Sequence, residues 1–376
     1  MREVDTPCYF YDMELLQKTI DTVVRESSRY GYKVHYAMKA NFDARIMAAV
    51  KKAGLGADCV SGNEVRMAIG SGIPASDVVF AGVGKSDREI RYALEQNIFA
   101  FNCESINELD VINSIAAETG RKARVAFRIN PDIDPQTHQN ISTGKADSKF
   151  GISYTEIDEA IASLGKFHNV EIVGIHFHIG SQIRDMKVFE ELALKANDIA
   201  DWFRQKGITL KHLNLGGGLG IDYDDPDAEP IPHFATYFAI FHKHLKVEQG
   251  QTVHFELGRS IVGQCGDLLT RVLYNKKTAS GTDVIIVDAG FTDLIRPALY
   301  SAKHKIENIS SGEGDAVYTV GGPVCESSDI FARDIHLPIT KRGDLLAMRS
   351  AGAYGQAMAS QYNMRDLPHT AYSDEL

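Results

Sequence analysis

The sequence is poor in cysteine, and the few cysteines present do not form pairs. There are five among 376 residues, an odd number, and no two stand in a CxxC spacing. Disulfide frameworks and zinc sites depend on paired cysteines at short spacings, so neither is expected here. Unpaired cysteines favour a reducing, cytoplasmic location. The five are Cys8, Cys59, Cys103, Cys265 and Cys325.

An excess of positive charge and a long apolar run are also lacking. Lysine and arginine number 40 against 50 aspartates and glutamates, which gives a net charge of -10 without any block of like charge. Nucleic-acid-binding proteins carry basic patches, so no nucleic-acid partner is expected. No run approaches the roughly 18 apolar residues of a membrane helix. The N-terminal MREVDTPCYFYD has no apolar signal-peptide core, and no membrane partner is expected.

What the sequence does contain is a regular alternation of strand and helix patterns. Eight short β-branched or aromatic runs are separated by helical patterns, and the first five runs begin 21–25 residues apart. That spacing fits a strand plus a crossover helix. Eight such units predict a (β/α)8 TIM barrel, with a doubly wound open sheet as the alternative. The predicted strands are 33–39, 56–60, 78–82, 99–103, 124–130, 172–180, 210–218 and 252–257, and the helices are 44–52, 63–70, 86–96, 106–119, 154–164 and 187–205.

The alternation of strand and helix patterns ends after Glu256. Helical periodicity largely disappears, and strand patterns with glycine-rich turns predict a C-terminal β domain of sandwich or barrel-like form. The short run 7–11 is expected to pair with it. We therefore predict a barrel domain at 12–257 and a β domain at 258–376 together with 1–11. The predicted strands of the second domain are 267–277, 283–288, 316–320, 329–337 and 344–350.

Polar residues end several of the predicted barrel strands. A barrel carries its chemistry at the carboxyl ends of its strands, which favours the barrel over the open sheet and predicts a site there. A lysine at such an end is either a solvated terminus or, in a partly apolar site, an amine nucleophile. The residues at these ends are Lys39, Asp58, Arg128, His178, Gly216, Gly217, Gly218 and Glu256.

The glycine run in HLNLGGGLG follows the seventh predicted strand. Consecutive glycines allow backbone N–H groups to approach a phosphate, and barrels often bind phosphate after strands seven and eight. The alternative is a tight turn. The spacing is not GxGxxG, so a dinucleotide site is not indicated. Gly258 and Arg259 lie just past the eighth strand, and Ser181 is a further phosphate donor.

Two further motifs of the barrel carry polar side chains. The HFHIGSQ motif places His176 and His178 on one strand face, but without the further ligands of a metal site. No metal is therefore predicted, and one histidine is expected to pack against a ring while the other is structural. Glu256 in HFELGR needs a partner if it is buried. That partner is either a protonated ring nitrogen of a cofactor or an arginine, with Arg259 and Arg128 as candidates.

The β domain holds three further motifs. DAGFTDLIRPALY places Arg296 and Tyr300 four residues apart, GGPVCESSD places Cys325 and Glu326 at a Gly-Pro turn, and GAYG places Tyr354 between glycines. Alone, Cys325 would be interpreted as a small buried hydrophobe.

Taken together, these motifs resemble one enzyme family. YAMKAN, HFHIGSQ, LNLGGGLG, ELGR, DAGFTDLIRPALY, GPVCESSD and GAYG occur in the order seen in diaminopimelate decarboxylases, which are fold type III enzymes dependent on pyridoxal 5'-phosphate (PLP). The resemblance covers nearly the whole chain. One departure is Leu257, which stands where the family's EPGR motif has proline.

The resemblance implies a role for each motif. Lys39 would form the internal aldimine with PLP, His178 would stack on its ring and Glu256 would pair with its pyridine nitrogen, while Asp58 and Arg128 would orient Lys39 and His178. Cys325 would act as the proton donor, reaching the site of a partner subunit with Glu326, so a homodimer is implied. The expected phosphate group is Ser181, Gly217, Gly218, Gly258, Arg259 and Tyr354, and the expected substrate group is Arg259, Arg296, Tyr300, Glu326 and Tyr354.

The implied reaction is decarboxylation of meso-2,6-diaminopimelate to L-lysine. Arg296 suits a distal carboxylate and Glu326 a distal amine. Ornithine or lysine, as substrates, would leave Arg296 without its anion. Three alternatives remain: a related decarboxylase such as carboxynorspermidine decarboxylase, an amino-acid racemase, and a catalytically silent relative.

Overall fold

A computed structural model describes residues 4–133, 149–153 and 156–375. The chain divides into two units. The barrel unit comprises Ile20–Gly220 and His233–Gly258, and the sheet unit comprises Met1–Thr19, Ile221–Pro232 and Arg259–Leu376. The first strand, β1 (Cys8–Tyr11), belongs to the sheet unit. No helix within the described residues has the length and apolarity needed to span a bilayer.

The barrel unit is built on a closed ring of eight parallel strands. Each strand pairs with its neighbours, and the last pairs with the first through Phe255 opposite Val34, which closes the ring. The predicted (β/α)8 barrel is therefore confirmed, and the open-sheet alternative is wrong. The short β7 only adds to the edge of β6. The strands are β2 (Lys33–Ala37), β3 (Gly56–Cys59), β4 (Val78–Phe80), β5 (Ala100–Cys103), β6 (Ala123–Asn130), β7 (Ile152–Ser153), β8 (Val170–His176), β9 (His212–Asn214) and β10 (Thr252–Leu257).

Helices follow most of these strands, and local capping explains where several begin. Asp43 accepts from the N–H groups of Arg45 and Ile46, and Ser86 forms a capping box with Glu89. The predicted helices are confirmed, although residues 154–155 at the start of one lie outside the described residues. The helices are α1 (Met13–Ser28), α2 (Ala44–Lys52), α3 (Gly62–Gly70), α4 (Asp87–Glu95), α5 (Ile106–Glu118), α6 (Ile157–Ser163), α7 (Lys187–Gln205) and α8 (Phe234–His244).

Helix α8 is absent from the sequence prediction. Its composition is rich in aromatic residues, which have weak intrinsic helix propensity. Tertiary packing stabilises it instead: the rings of Tyr237, Phe238 and Phe241 lie 5.5, 5.1 and 4.9 Å from the ring of Phe255 on β10. Aromatic packing against the barrel wall thus decides the conformation of this segment.

The sheet unit is a mixed β-sheet with two short helices. Strand β1 pairs antiparallel with β11 and parallel with β17, which confirms the predicted role of the N-terminal run. The predicted separate β domain is confirmed, while β13 and β17 are strands that the sequence prediction lacks. The elements are α9 (Arg259–Val262), β11 (Gly266–Lys277), β12 (Asp283–Val287), α10 (Arg296–Tyr300), β13 (Ile306–Asn308), β14 (Ala316–Gly321), β15 (Ile330–Leu337), β16 (Leu345–Met348) and β17 (His369–Tyr372).

Histidines fill part of the barrel interior at the start of the strands. The His35 Nδ1–H donates to the carbonyl of Asp77 (3.0 Å), so its Nε2 accepts from the Nδ1–H of His254 (2.8 Å). The hydroxyl of Thr252 then donates to Nε2 of His254 (2.8 Å). The rings of His212 and Phe99 pack beside this chain. His35 and His254 are therefore neutral, and each of their ring nitrogens has a hydrogen-bond partner.

Acidification is expected to destabilise the barrel through His212. Burial first, then the neighbouring histidines, lower the pKa of this imidazole to about 3, against about 6.5 in an unfolded chain. Its folded pKa is depressed, so its contribution to stability is complete above pH about 6.5 and is lost as the pH falls toward about 3. The free energy of unfolding of the wild type should fall more steeply than that of His212→Gln, by up to about 1.4 kcal/mol per pH unit.

Denaturant titrations between pH about 7 and about 4 measure this difference. The exposed His168 provides the control, because His168→Gln should retain the wild-type slope. Equal slopes for His212→Gln and the wild type would contradict the prediction.

Candidate active site

Lys39 lies in a short helical turn, Met38–Ala40, directly after β2. Its neighbours Met38 and Ala40 are fully buried, while its own side chain is 33% exposed. The amine donates to Oδ2 of Asp58 on the adjacent strand β3, at 3.4 Å. Lys39 is therefore not a plain solvated strand end, because a buried carboxylate faces its amine at the catalytic end of the barrel.

Asp58 is almost completely buried, and its other oxygen, Oδ1, has no hydrogen-bond partner among the described residues. Burial and the charge of Glu256 raise the pKa of Asp58 to about 8, with Lys39 acting in the opposite direction. The position of Asp58 fits a residue that orients the lysine.

Glu256, on β10, is the central carboxylate of the barrel unit. Its Oε1 accepts from the side-chain amides of Asn102 (3.0 Å) and Asn214 (2.7 Å), and its Oε2 lies 2.9 Å from Nε2 of His176. Burial alone would raise its pKa, but His176 and Lys39 outweigh burial and lower it. An ionised carboxylate accepts about four hydrogen bonds. With three donors in place, Glu256 can accept one more.

Two arginines were considered as partners of Glu256, and for Arg128 this prediction is wrong. The Nη1 of Arg128 donates instead to Oε1 of Glu104 at 2.6 Å, and both side chains are buried. Glu104 also accepts from the N–H groups of Gly82 (3.2 Å) and Gly151 (2.7 Å). The sequence predicted ring packing for one of His176 and His178 and a structural role for the other, and His176 is a hydrogen-bond partner of Glu256.

His178 lies two residues past the end of β8, and it is half-buried. Its Nδ1 accepts from the N–H of Gly217 at 3.4 Å. Burial, together with the charges of Lys39 and Arg128, lowers the pKa of His178 well below its usual value. The ring is therefore neutral and flat, which suits stacking on an aromatic ligand.

The glycines after β9 are required first by backbone packing. A Cβ on Gly217 would overlap the carbonyl of Glu256, and Gly218 has a φ of +103°. Gly258 lies against the lysine turn, since a Cβ there would come within 3.0 Å of the Cβ of Ala40. Ser181 follows β8 and is half-buried. The close packing brings backbone and small side chains to the strand ends, as a phosphate site requires.

The sheet unit buries two arginines, Arg259 and Arg296. Arg296 begins α10 and donates from Nη1 to Nε2 of His304 at 2.8 Å. His304 must therefore donate its Nδ1–H to the carbonyl of Arg349 (2.9 Å), and burial and the charge of Arg296 lower its pKa to about 3. The Nε of Arg296 has no hydrogen-bond partner among the described residues.

The other predicted residues of the sheet unit are Tyr300, Cys325, Glu326 and Tyr354. The ring of Tyr354 lies 4.8 Å from the guanidinium of Arg259, and Tyr300 ends α10. Cys325 is exposed and free, so its interpretation as a small buried hydrophobe is wrong. Glu326 beside it is also exposed.

Known proteins match this chain along its length. Residues 16–263 match the pyridoxal-binding domain of the pyridoxal-dependent decarboxylases. Diaminopimelate decarboxylase of Bacteroides thetaiotaomicron is 51% identical over all 376 residues and 97% of its own length. The enzyme of the same name from Aquifex aeolicus is 42% identical over 96% of this chain and 84% of its own.

A solved structure gives the same result. Diaminopimelate decarboxylase from Helicobacter pylori, complexed with L-lysine, superposes with a TM-score of 0.93 at 40% identity, over 100% of this chain and 93% of that one. This chain belongs to the diaminopimelate decarboxylase family. The family confirms the predicted cofactor, PLP, and the predicted class of carboxy-lyase.

The barrel unit fits PLP on its own geometry. It presents a lysine amine, a neutral ring, and an ionised carboxylate with one acceptor position remaining. No group of three or more histidine, cysteine, aspartate or glutamate side chains that could hold a metal ion occurs in the described parts of the chain.

Several polar side chains that contact the predicted residues within each unit are missing from the sequence prediction. They are polar side chains that support the predicted ones, and their only local signal is a polar residue within an apolar strand or just after a motif. The set is Asn102, Glu104, Asn214, Tyr223 and His304.

The buried pair of Arg128 and Glu104 is expected to stabilise the barrel unit strongly. Glu104→Gln would leave the Arg128 charge buried without its counter-charge, at a cost of about 3 kcal/mol or more. The exposed pair Arg91–Glu118 has the same 2.6 Å separation, so Glu118→Gln is the matched control, with an expected loss of less than about 1 kcal/mol. Free energies of unfolding from denaturant titration compare the two. Equal losses would contradict the role assigned to burial.

Proposed function

We propose that this chain decarboxylates meso-2,6-diaminopimelate to L-lysine and CO2, as the last step of lysine biosynthesis. The full-length relatives carry the name of this activity, and the Helicobacter pylori structure holds L-lysine. The observation that carries the proposal is Arg296, a buried cation whose Nε lacks an acceptor among the described residues. A distal carboxylate of the substrate would supply that acceptor.

The barrel unit would hold the cofactor. When bound, PLP supplies an electron sink for the carbon that loses CO2. Lys39 would attach it through Nζ, His178 would stack on its ring, and Glu256 would accept from its ring nitrogen at the fourth acceptor position. Asp58 would orient Lys39, and Arg128, fixed by Glu104, would keep the surroundings of His178 positively charged. The proposed phosphate-binding residues are Ser181, Gly217, Gly218 and Gly258, with Arg259 and Tyr354.

The sheet unit would select the substrate. Arg296 would bind the distal carboxylate, Glu326 the distal amine, and Cys325 would return a proton from Sγ to the carbon that loses CO2. Arg259, Tyr300 and Tyr354 complete the proposed substrate group. Under this proposal residues 12–257 form the cofactor domain, and residues 258–376 with 1–11 form the second domain.

Replacing Arg296 by alanine is expected to lower kcat/KM for diaminopimelate by about 100-fold, because a buried charge pair with the substrate is lost. The exposed Arg342 provides the control, since Arg342→Ala should leave kcat/KM unchanged. Release of CO2 and formation of L-lysine measure the reaction. A panel containing ornithine, lysine and carboxynorspermidine separates related decarboxylases, and α-proton exchange without CO2 release would indicate a racemase. Unchanged turnover in Arg296→Ala would show that Arg296 does not bind the substrate.

We also propose that the chain acts as a homodimer, in the cytoplasm. Cys325 and Glu326 are exposed, and the segment beside them carries exposed apolar side chains. Tyr362 donates to Glu326 (2.7 Å), Asn363 accepts from the N–H of Cys325 (3.1 Å), and the next residue, Met364, is 96% exposed. An exposed apolar segment that fixes a reactive residue is suited to an interface. All five cysteines are free, which suits a reducing compartment.

Mixing two inactive variants tests the dimer. If Cys325 of one subunit serves Lys39 of the other, a dimer of Lys39→Ala with Cys325→Ala contains one complete site and should regain activity. Mixing Lys39→Ala with His178→Ala is the matched control, because both residues would serve the same site and no complete site can form. Co-expression followed by assay of CO2 release gives the answer. Inactivity of both mixtures would place Cys325 and Lys39 in the same subunit's site.

A further inference from the structure

Tyr223 lies among the buried arginines of the sheet unit. The Nη1 of Arg259 donates to its hydroxyl at 2.6 Å. The guanidinium of Arg296 lies 4.9 Å from the centre of its ring, and the ring packs edge-on against His304. Tyr223 therefore contacts both buried guanidinium groups and the residue that accepts from one of them.

The arrangement has an electrostatic consequence. Two buried like charges repel each other, and neither is easily hydrated. For Arg296, no carboxylate lies within ion-pair distance among the described residues, and the neutral His304 gives it no counter-charge. The face of the Tyr223 ring provides negative electrostatic potential to Arg296, and the hydroxyl oxygen accepts from Arg259.

The acidity of the Tyr223 phenol reflects the same field. Burial alone would raise its pKa, but the charges of Arg259 and Arg296 outweigh burial and lower the pKa below the usual value for tyrosine. The two guanidinium groups thus strengthen the hydrogen-bond acceptor that holds one of them.

The segment that carries Tyr223 is anchored within the sheet unit. Downstream, Asp227 pairs with Arg349 (2.7 Å) and Lys305 (3.5 Å). The side chain of Gln264 donates to the carbonyls of Pro226 (3.2 Å) and Glu229 (2.7 Å). Contacts on several residues after Tyr223 therefore limit the movement of its backbone.

We propose that Tyr223 is a positioning residue, which holds Arg259 and Arg296 in the orientation that binds the distal carboxylate of the substrate. This inference rests on the proposed function, in which these arginines bind that carboxylate. It extends that function by assigning to Tyr223 a share in selecting ligands that have a carboxylate over diamines that lack one.

Tyr223→Phe tests the inference, because it keeps the ring and removes the acceptor. We expect KM for diaminopimelate to rise about tenfold with kcat within about twofold, since a hydrogen bond to a charged group is lost. Calorimetric titration gives a readout independent of turnover. L-lysine, which keeps a carboxylate, should bind about tenfold more weakly to the variant, and cadaverine, which has none, should bind equally to variant and wild type.

Tyr274 offers a matched control. It is 60% exposed on β11, and the guanidinium of Arg342 lies 4.9 Å from its ring, the same separation as between Arg296 and Tyr223. Tyr274→Phe should change none of these constants. If Tyr223→Phe binds L-lysine like the wild type, or weakens L-lysine and cadaverine equally, the inference is overturned.

The outcomes separate the inference from the proposed function. A wild type that releases no CO2 from diaminopimelate, but binds L-lysine with the predicted loss in Tyr223→Phe, would overturn the function and support the positioning role. If the wild type releases no CO2 and Tyr223→Phe does not weaken L-lysine binding, both the proposed function and the positioning role are overturned.

Discussion

The structure depends on the burial of one negative charge, the carboxylate of Glu256, inside a closed barrel. A buried carboxylate without partners would cost several kcal/mol. Here three strands supply the donors: Asn102 from β5, His176 from β8 and Asn214 from β9. Only β9 lies next to β10 in the ring, whereas β8 is two strands away and β5 lies on the opposite side. Their side chains meet Glu256 in the barrel interior only because the ring closes, so closure and charge burial depend on each other.

The sheet unit buries two cations, Arg259 and Arg296. In each unit the charged groups keep capacity for one more bond. Glu256 can accept another hydrogen bond, and Arg296 can donate another from Nε. Under the proposed function, a protonated cofactor ring and a dicarboxylic substrate would carry the charges that complement them. Such preorganisation would place the binding energy where ligand charge lies, without reorganisation of the protein.

Local patterns predicted the regular part of the fold well. All eight barrel strands were predicted, because short, largely apolar runs alternate with helical patterns, and α2 and α7 were predicted with their observed ends. The failures have physical causes. Helix α8 is held by aromatic rings packed on Phe255 rather than by propensity. The short strands β13 and β17 lie in the sheet unit, where no regular crossover spacing marks the strands. Arg128, one of the alternative partners considered for Glu256, was wrong, because Glu104, a residue without a motif, binds Arg128 instead.

The sequence by itself determined the number of strands, their order, and the presence of Lys39, His178 and Glu256 at strand ends, since these follow from local pattern and motif. Tertiary structure decided which side chains neutralise them. Asn102 and Glu256 are separated by 154 positions, and Tyr223 and Arg259 by 36. Contacts over such distances are set by ring closure and by packing in space, and no local propensity encodes them.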